Sequence, residues 1–347
     1  MTSMTVDSLF SELHSKIGDI VPYFELRYKA ELALEINRLK KEKNALILGH
    51  NYMEPALFFS VTDFRGDSLE LCYKARQTDK DIIVFCGVRF MAETAKVLNP
   101  SKIVLLPSTE AGCSLAASIT PQDVRALRQQ FPGVPVVAYI NTYADVKAES
   151  DICCTSANAA AVVEALHSDT VIFIPDEYLA RNVARETGKH IIVPTSDPSQ
   201  MQDSQVEYHL IGWHGRCEVH EKYTVEDVQN VRKQFPDVFI LAHPECSPEV
   251  VEASDFSGGT SAMIRYVERT SAPRYLLLTD CAMGDNVAAT HRNKEILRMC
   301  SVRCSYMNKI TLENTLQSLT TLQYIVELPP DIIERAARAV ERMMAVV

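Results

Sequence analysis

No apolar run in this chain approaches the roughly 20 residues that a bilayer-spanning helix needs. Positive charge is also scarce: Lys and Arg number 35 against 45 Asp and Glu, a net charge of −10, so no basic field exists to neutralise a phosphate backbone or an anionic lipid surface. Nucleic acid and membrane are therefore not expected as partners. Glycine (12) and proline (16) are too few among 347 residues for a collagen-like or low-complexity chain. The opening MTSMTVDSLFSELHSKIGD lacks a basic stretch followed by an apolar one, so a cytoplasmic location is expected. What is present is an ordinary packed globular composition, 47% hydrophobic, in a chain long enough for two or three cores.

Ten cysteines are the exception to that plainness. A disulfide framework is not expected in a reducing compartment, which leaves buried small hydrophobes or metal ligands. Cys72, Cys86, Cys153, Cys154 and Cys246 sit in or beside apolar segments such as IIVFCG and DICCTS and are read as core.

The spacing of Tyr28, Leu32, Ile36 and Leu39 predicts a long amphipathic helix over 24–43. Beyond it, short apolar runs alternate with helix-length amphipathic stretches, the grammar of an α/β fold. Strands are expected at 45–50, 81–87, 102–107, 134–141, 151–156, 170–176, 190–194, 208–213, 237–245 and 274–280. Their largely apolar character suits parallel sheets covered on both faces. The segment 195–208 reads as an extended surface loop.

Three of these runs end alike, in ILGHNY at His50, AYINTY at Asn141 and LAHPEC at His243, and each is followed by a polar small-residue turn. Three copies of one α/β unit would explain this, with boundaries at 1–24 (an extension), 25–117, 118–221, 222–320 and a helical segment 321–347. Ligands gather at the carboxyl ends of parallel strands, which would bring His50, Asn141 and His243 to one place. Cys113, Cys217 and Cys304 then stand out, one in a late loop of each unit. Ligands so dispersed do not make a zinc finger; an iron–sulfur cluster needs only thiolates that reach one point, and three of them leave one iron open as a Lewis acid. Cys300 and Cys304 are four apart on a segment read as helical, so both could face one site; Cys304 is preferred because a better helix start follows it.

The string GHNYMEP (49–55), GDSLEL (66–71), EAGCSL (110–115), YINTYADVKAESD (139–151), CTSANA (154–159), IPDEYLARNV (174–183), WHGRCEVHE (213–221), HPE (243–245), GGTSAMI (258–264) and CSYMN (304–308) resembles the quinolinate synthase family. The resemblance runs from about Asn44 to Asn314. It implies three similar αβα domains with parallel sheets around a pseudo-threefold axis, and a [4Fe–4S] cluster in the central cavity held by Cys113, Cys217 and Cys304. It implies the condensation of iminoaspartate with dihydroxyacetone phosphate to quinolinate in NAD biosynthesis, and a transient contact with the oxidase that supplies iminoaspartate. His50, Tyr52, His220, His243 and Glu245 match catalytic positions. Ser68, Tyr139, Asn141, Ser156 and Thr260, again with His50, His243 and Glu245, match substrate-binding positions. The chain departs from the family's pattern at Cys281 and Ala282, where a rearranged loop is expected after Asp280, at Ser305, and at Gly259, which replaces a hydroxyl. A divergent hydro-lyase or a non-catalytic iron–sulfur sensor is the alternative.

Overall fold

The computed structural model describes residues 4–195, 206–210 and 215–346. Among these, the strands form three parallel sheets of four, five and four strands, interleaved with helices. The first stretch runs α1 (Val6–Ile17), α2 (Tyr23–Glu42), β1 (Ala45–His50), α3 (Pro55–Ser60), β2 (Phe64–Gly66), α4 (Ser68–Gln77), β3 (Ile82–Cys86), α5 (Arg89–Leu98), β4 (Ile103–Leu105) and α6 (Ser114–Ala117). The second runs α7 (Pro121–Gln130), β5 (Val136–Tyr139), α8 (Ala144–Ala148), β6 (Ile152–Cys154), α9 (Ala159–Ala165), β7 (Thr170–Ile174), α10 (Glu177–Thr187), β8 (His190–Thr195) and β9 (Val206–Leu210). The third runs α11 (Val225–Gln234), β10 (Val238–Ala242), α12 (Pro248–Ala253), β11 (Phe256–Ser257), α13 (Thr260–Arg269), β12 (Arg274–Leu278), α14 (Cys281–Thr290) and β13 (Glu295–Leu297), followed by α15 (Leu312–Thr321) and α16 (Pro330–Ala345). No helix among the described residues is long and apolar enough to cross a membrane.

The chain packs as two compact units, Met1–Ala111 with Ile264–Glu327, and Gly112–Met263 with Leu328–Val347. In the first, the sheet order is β2-β1-β3-β4, and Tyr324–Val326 covers the β4 edge through Leu106 N–H to Tyr324 O and Val326 N–H to Val104 O. In the second, the order is β6-β5-β7-β8-β9, and α16 packs on α8 and β6. In the third sheet β10 pairs with β11 and β12 with β13, both parallel. The strands β1, β3 and β5 are buried throughout, as their unbroken apolar runs require when helices cover both faces. Cys72, Cys86, Cys153, Cys154 and Cys246 are buried thiols of this core.

One interaction recurs three times. The residue ahead of β2, β6 and β11 is an aspartate, and its carboxylate accepts a backbone N–H from the neighbouring strand: Asp63 from Ile47, Asp151 from Val136 and Asp255 from Ile240, each at 2.8 Å. The aspartate's own N–H returns to the carbonyl of that same residue. A cation from the preceding helix closes each unit: Lys40 of α2 on Asp63, Arg128 of α7 on Asp151, Arg232 of α11 on Asp255. The ladders agree, since Leu48 pairs with Phe64, Val137 with Ile152 and Leu241 with Phe256. The repeat expected from sequence is therefore present, with a corrected register. His50 corresponds to Tyr139 and His243, and Asn141 to Tyr52 and Glu245. Asn141 lies two residues beyond the end of β5, so matching it to the two histidines misplaced the second copy by two.

Other expectations are adjusted at element ends. The long helix spans 23–42, and α1 fills part of the expected extension. The edge strands β2, β11 and β13 went unread because they are two or three residues long and partly exposed. Residues 206–208 of the expected loop belong to β9, which pairs with β8; residues 196–205 and 211–214 lie outside the described residues.

Replacing Asp151 by Ala removes the acceptor of the Val136 N–H and the partner of Arg128. A loss of about 1.5–3 kcal/mol in unfolding free energy is expected, with a smaller loss for Asp151→Asn, whose amide oxygen still accepts that N–H. Denaturant unfolding in oxygen-free buffer measures it, and an unchanged midpoint for Asp151→Ala would remove the aspartate from its anchoring role.

Candidate functional site

With the register corrected, the candidate residues fall into pairs two apart at the ends of equivalent strands: His50 and Tyr52, Tyr139 and Asn141, His243 and Glu245. Ser68, Ser156 and Thr260 correspond likewise, each five residues after the aspartate, Asp63, Asp151 or Asp255, that precedes the second strand of its copy. Ser68 opens α4 behind a capping box made by Asp67 and Glu70, and Thr260 opens α13. Helix starts present unsatisfied N–H groups and favour anions.

In the first unit, His50 and Tyr52 are both buried. The Tyr52 N–H donates to His50 Nδ1 at 3.2 Å, which keeps the neutral ring's proton on Nε2. The rings meet edge to face with centroids 4.6 Å apart. The Tyr52 hydroxyl lies 2.5 Å from Thr279 Oγ1, itself buried. Thr279 closes the strand run RYLLLT and had no signal of its own in the sequence.

In the second unit, Glu245 is the centre. Its Oε1 accepts from Asn141 Nδ2 at 3.1 Å, and its Oε2 lies 2.6 Å from His220 Nδ1 and 3.3 Å from His243 Nδ1. The two imidazoles stack with centroids 4.4 Å apart. The Glu245 N–H also donates to His243 Nδ1, repeating the His50 geometry. Burial alone would raise the Glu245 carboxyl, but the two imidazoles hold it well below the usual carboxylate range. Burial, with the charges of Glu245 and Asp176, pushes the Tyr139 phenol well above its ordinary value, so it is a hydrogen-bond donor at neutral pH. Burial and the Glu245 charge likewise raise Asp176 well above the carboxylate range. The loop bearing Asn141 is fixed from behind by the fully buried Lys147, whose Nζ donates to Ile140 O at 2.9 Å and to Thr142 O. The turns of Ser156 and Thr260 abut: a Cβ on Gly259 would come within 3.0 Å of Ser156 Oγ, which gives the glycine at this position a packing reason.

Three cysteines share one local architecture. The first N–H of α5, α10 and α14, each following the third strand of its copy, donates to a loop carbonyl: Arg89 to Ala111 at 2.8 Å, Glu177 to Gly215 at 2.7 Å, Cys281 to Val302 at 3.0 Å. Each acceptor lies two residues before a cysteine, namely Cys113, Cys217 and Cys304. Each cysteine carbonyl accepts an N–H four residues on, from Ala117, Glu221 and Asn308. Each sulfur faces the N–H three residues on, from Ala116 at 3.4 Å, from His220, and from Met307 at 3.5 Å. All three thiols are half-buried. Sulfurs facing backbone N–H groups at a helical turn, none of them fully exposed, are compatible with metal ligation, while burial and the Glu245 charge push the Cys217 thiol well above its ordinary value in the metal-free protein.

Cys300 has another environment. The expected helix through Cys300 and Cys304 does not form, and Cys300 sits exposed in a turn. Asp280, the cap of α14, accepts the Cys304 N–H at 2.6 Å and the Ala282 N–H at 2.7 Å, and Asp285 takes Arg298 and Arg303 at the two ends of that turn. These contacts draw the segment out of helical geometry. The loop after Asp280, expected to be rearranged, is the regular start of α14. Among the described residues, two groups have the spacing to hold a metal ion: Cys217 with His220 and Glu245, and Cys281 with Asp285 and Cys300, donor atoms within 4.8 Å in each. In the second, both Asp285 oxygens are engaged by arginines; in the first, both Glu245 oxygens are engaged by Asn141 and the two imidazoles. Cys113 lies close enough to Cys217 to act on its thiol.

A threefold-repeated α/β scaffold that ends its strands in imidazole, phenol, amide and carboxylate, with a similarly held cysteine in each copy, has the groups of an acid–base enzyme and thiols compatible with a metal. The comparisons with known proteins agree. Residues 34–345 match the family model described as NadA, quinolinate synthetase A protein, and the chain belongs to this family. It is 48% identical over 342 residues to quinolinate synthase 2 of Mesorhizobium japonicum, covering 99% of each chain. It is 48% identical over 340 residues to the quinolinate synthase of Xylella fastidiosa, covering 98% of this chain and 94% of that one. With the quinolinate synthase of Caulobacter vibrioides the identity is 46% over 343 residues, covering 98% and 88%.

Thr279→Val deletes the hydroxyl partner of the buried Tyr52 phenol. Stability is expected to fall by about 1–2 kcal/mol with the secondary structure unchanged, as read by thermal unfolding followed by circular dichroism. No loss would show that the phenol finds its partner elsewhere.

Proposed function

We propose that this chain condenses iminoaspartate with dihydroxyacetone phosphate to quinolinate, releasing two waters and phosphate, with a [4Fe–4S] cluster held by Cys113, Cys217 and Cys304. The observation that carries this reading is the coincidence, in one repeated register, of the three similarly held cysteines with the three polar pairs and three hydroxyls. The overall reaction balances without an oxidant or reductant, so the group asked for is a Lewis acid. When bound, a cluster with three protein thiolates supplies an iron open to a substrate oxygen.

The chain's own residues would divide the remaining work. Ser68, Ser156 and Thr260, with the helix-start N–H groups beside them, bind the carboxylate and phosphate oxygens of two anionic substrates. The protonated Tyr139 phenol donates a hydrogen bond, and Asn141, its amide nitrogen engaged by Glu245, orients the substrate chain through its carbonyl. Tyr52 exchanges a proton at its hydroxyl with Thr279 Oγ1 as relay, and His50 presents Nε2–H. Glu245, ionised between two imidazoles, takes and returns protons through His220 Nδ1, 2.6 Å from its Oε2, while His243, whose Nδ1 accepts the Glu245 N–H, presents Nε2–H. Such positioned acid–base groups contribute on the order of 10²–10⁴ each. Iminoaspartate is unstable in water, which favours supply by a transient contact with the oxidase that makes it.

The test is anaerobic turnover of cluster-replete protein, with iron and sulfide determined on the same sample. Quinolinate together with about four irons per chain is expected for a single four-iron cluster; a full cluster without product would instead favour the hydro-lyase or sensor. Cys113→Ala, Cys217→Ala and Cys304→Ala are each expected to lose the cluster, and Cys300→Ala to keep it. Tyr52→Phe should keep iron and fold while turnover falls by about 10²-fold or more; normal turnover would take Tyr52 out of proton transfer.

A further inference from the structure

Two of the three cysteine loops carry an arginine directly before the cysteine, and both arginines are gripped by a buried acid on the helix that anchors the loop. Arg216 precedes Cys217. Its Nε lies 3.1 Å from Glu177 Oε2 and its Nη2 3.4 Å from Glu177 Oε1, a two-point fork. Glu177 is 1% exposed, and the guanidinium lies over the Tyr178 ring, 4.7 Å from its centroid. Glu177 is also the residue whose N–H holds Gly215 O, so one residue grips the loop through main chain and side chain together. Arg303 precedes Cys304. Its Nη2 donates to Asp285 Oδ2 at 3.1 Å and faces Cys281 Sγ at 3.6 Å, while Arg298 donates to the other Asp285 oxygen at 2.7 Å. In the first copy Gly112 precedes Cys113 and the corresponding acid, Glu93 of α5, holds Arg89 of its own helix.

We propose that Glu177 with Arg216, and Asp285 with Arg303, are positioning pairs that hold the Cys217 and Cys304 loops in metal-ready geometry, in addition to the shared backbone contact. The physical ground is that a carboxylate removed from water is costly unless paired, and a planar fork on it fixes orientation as well as distance. An arginine one residue from the thiol cannot swing away without leaving that carboxylate bare, so the loop is tied to its helix at a second point. Metal binding by these loops rests on the function proposed above; the tie does not.

The experiment therefore has a metal-free arm and a metal arm. In metal-free protein, alkylation rates of Cys113, Cys217 and Cys304 by a maleimide are mapped by mass spectrometry in wild type, Glu177→Gln and Asp285→Asn. Cys217 alone is expected to react about tenfold faster in Glu177→Gln, and Cys304 alone in Asp285→Asn, with Cys113 as the internal control. The exchange Glu177→Arg with Arg216→Glu should restore the Cys217 rate to within about twofold. In the metal arm, the same variants should lose iron to a chelator faster than wild type under anaerobic conditions, and the exchanged pair more slowly than either single change. Equal alkylation rates in folded variants, or a rise at all three cysteines together, would overturn the proposal. If either neutral variant fails to fold, Arg216→Lys and Arg303→Lys keep the charge and lose the fork; unchanged rates there would overturn it equally. Wild-type protein that takes up no iron while the loop-specific alkylation pattern holds would sink the proposed function and leave the tie standing.

Discussion

The carboxylate that Asp63, Asp151 and Asp255 each place on a neighbouring strand's N–H is the contact on which the candidate site depends. In a strand the side-chain period is two, so a slip of one residue turns every side chain to the other face. The aspartate removes that freedom at the start of the pairing, and a helix cation, Lys40, Arg128 or Arg232, neutralises it and ties the preceding helix to the same point. With register fixed there, the end of the first strand is fixed too, and with it the pair that projects beyond: His50 and Tyr52, Tyr139 and Asn141, His243 and Glu245. The second strand then delivers Ser68, Ser156 or Thr260 at a constant offset.

Much of this was legible in the residues, for identifiable reasons. Apolar runs bounded by polar turns mark β1, β3, β5, β7, β10 and β12, because strands covered on both faces admit little else. The five core cysteines were readable from their apolar neighbours. The edge strands β2, β11 and β13 were not, since two or three residues such as Phe64, Arg65 and Gly66 bury little and show no periodicity. The repeat was visible but set two residues off in the second copy, because the polar residue closing the apolar run there is Asn141, whereas the ladder ends at Tyr139. The aspartates that fix the true register stand in the sequence at Asp63, Asp151 and Asp255; without the ladder, nothing separates them from the other acids near strand starts.

Cys300 and Cys304 show a different limit. Four-residue spacing on a segment read as helical made them near equivalents, yet the segment is a turn at Cys300 followed by irregular chain through Cys304. What decides between them is long-range: the Asp280 carboxylate on the Cys304 N–H, and Asp285 on Arg298 and Arg303. Side-chain contacts between residues far apart in the chain leave no periodic trace, so neither Thr279 beside Tyr52, 227 positions away, nor Glu177 beside Arg216, 39 positions away, could be singled out beforehand.

The three copies share a backbone and differ in what they carry, and that division has a chemical consequence. Identical main-chain hydrogen bonds, first helix residue to loop carbonyl and loop N–H to sulfur, place a thiol in each copy without any side chain having to be the same. The side chains are thereby released to differ. The first copy offers a phenol, an imidazole and a hydroxyl, neutral groups suited to passing a proton along. Charge instead gathers at the ends of the second- and third-copy strands, where His220 and His243 hold the Glu245 carboxyl well below the usual range against burial, while burial and the Glu245 charge push the Asp176 carboxyl and the Tyr139 phenol well above theirs. Neighbouring groups whose environments drive their proton affinities apart are the physical requirement for giving and taking protons within one site. A strictly symmetric trimer of one such unit could not meet it, since each copy would carry the same groups in the same protonation state; joining the three copies in a single chain lets each strand end evolve its own chemistry on a common frame.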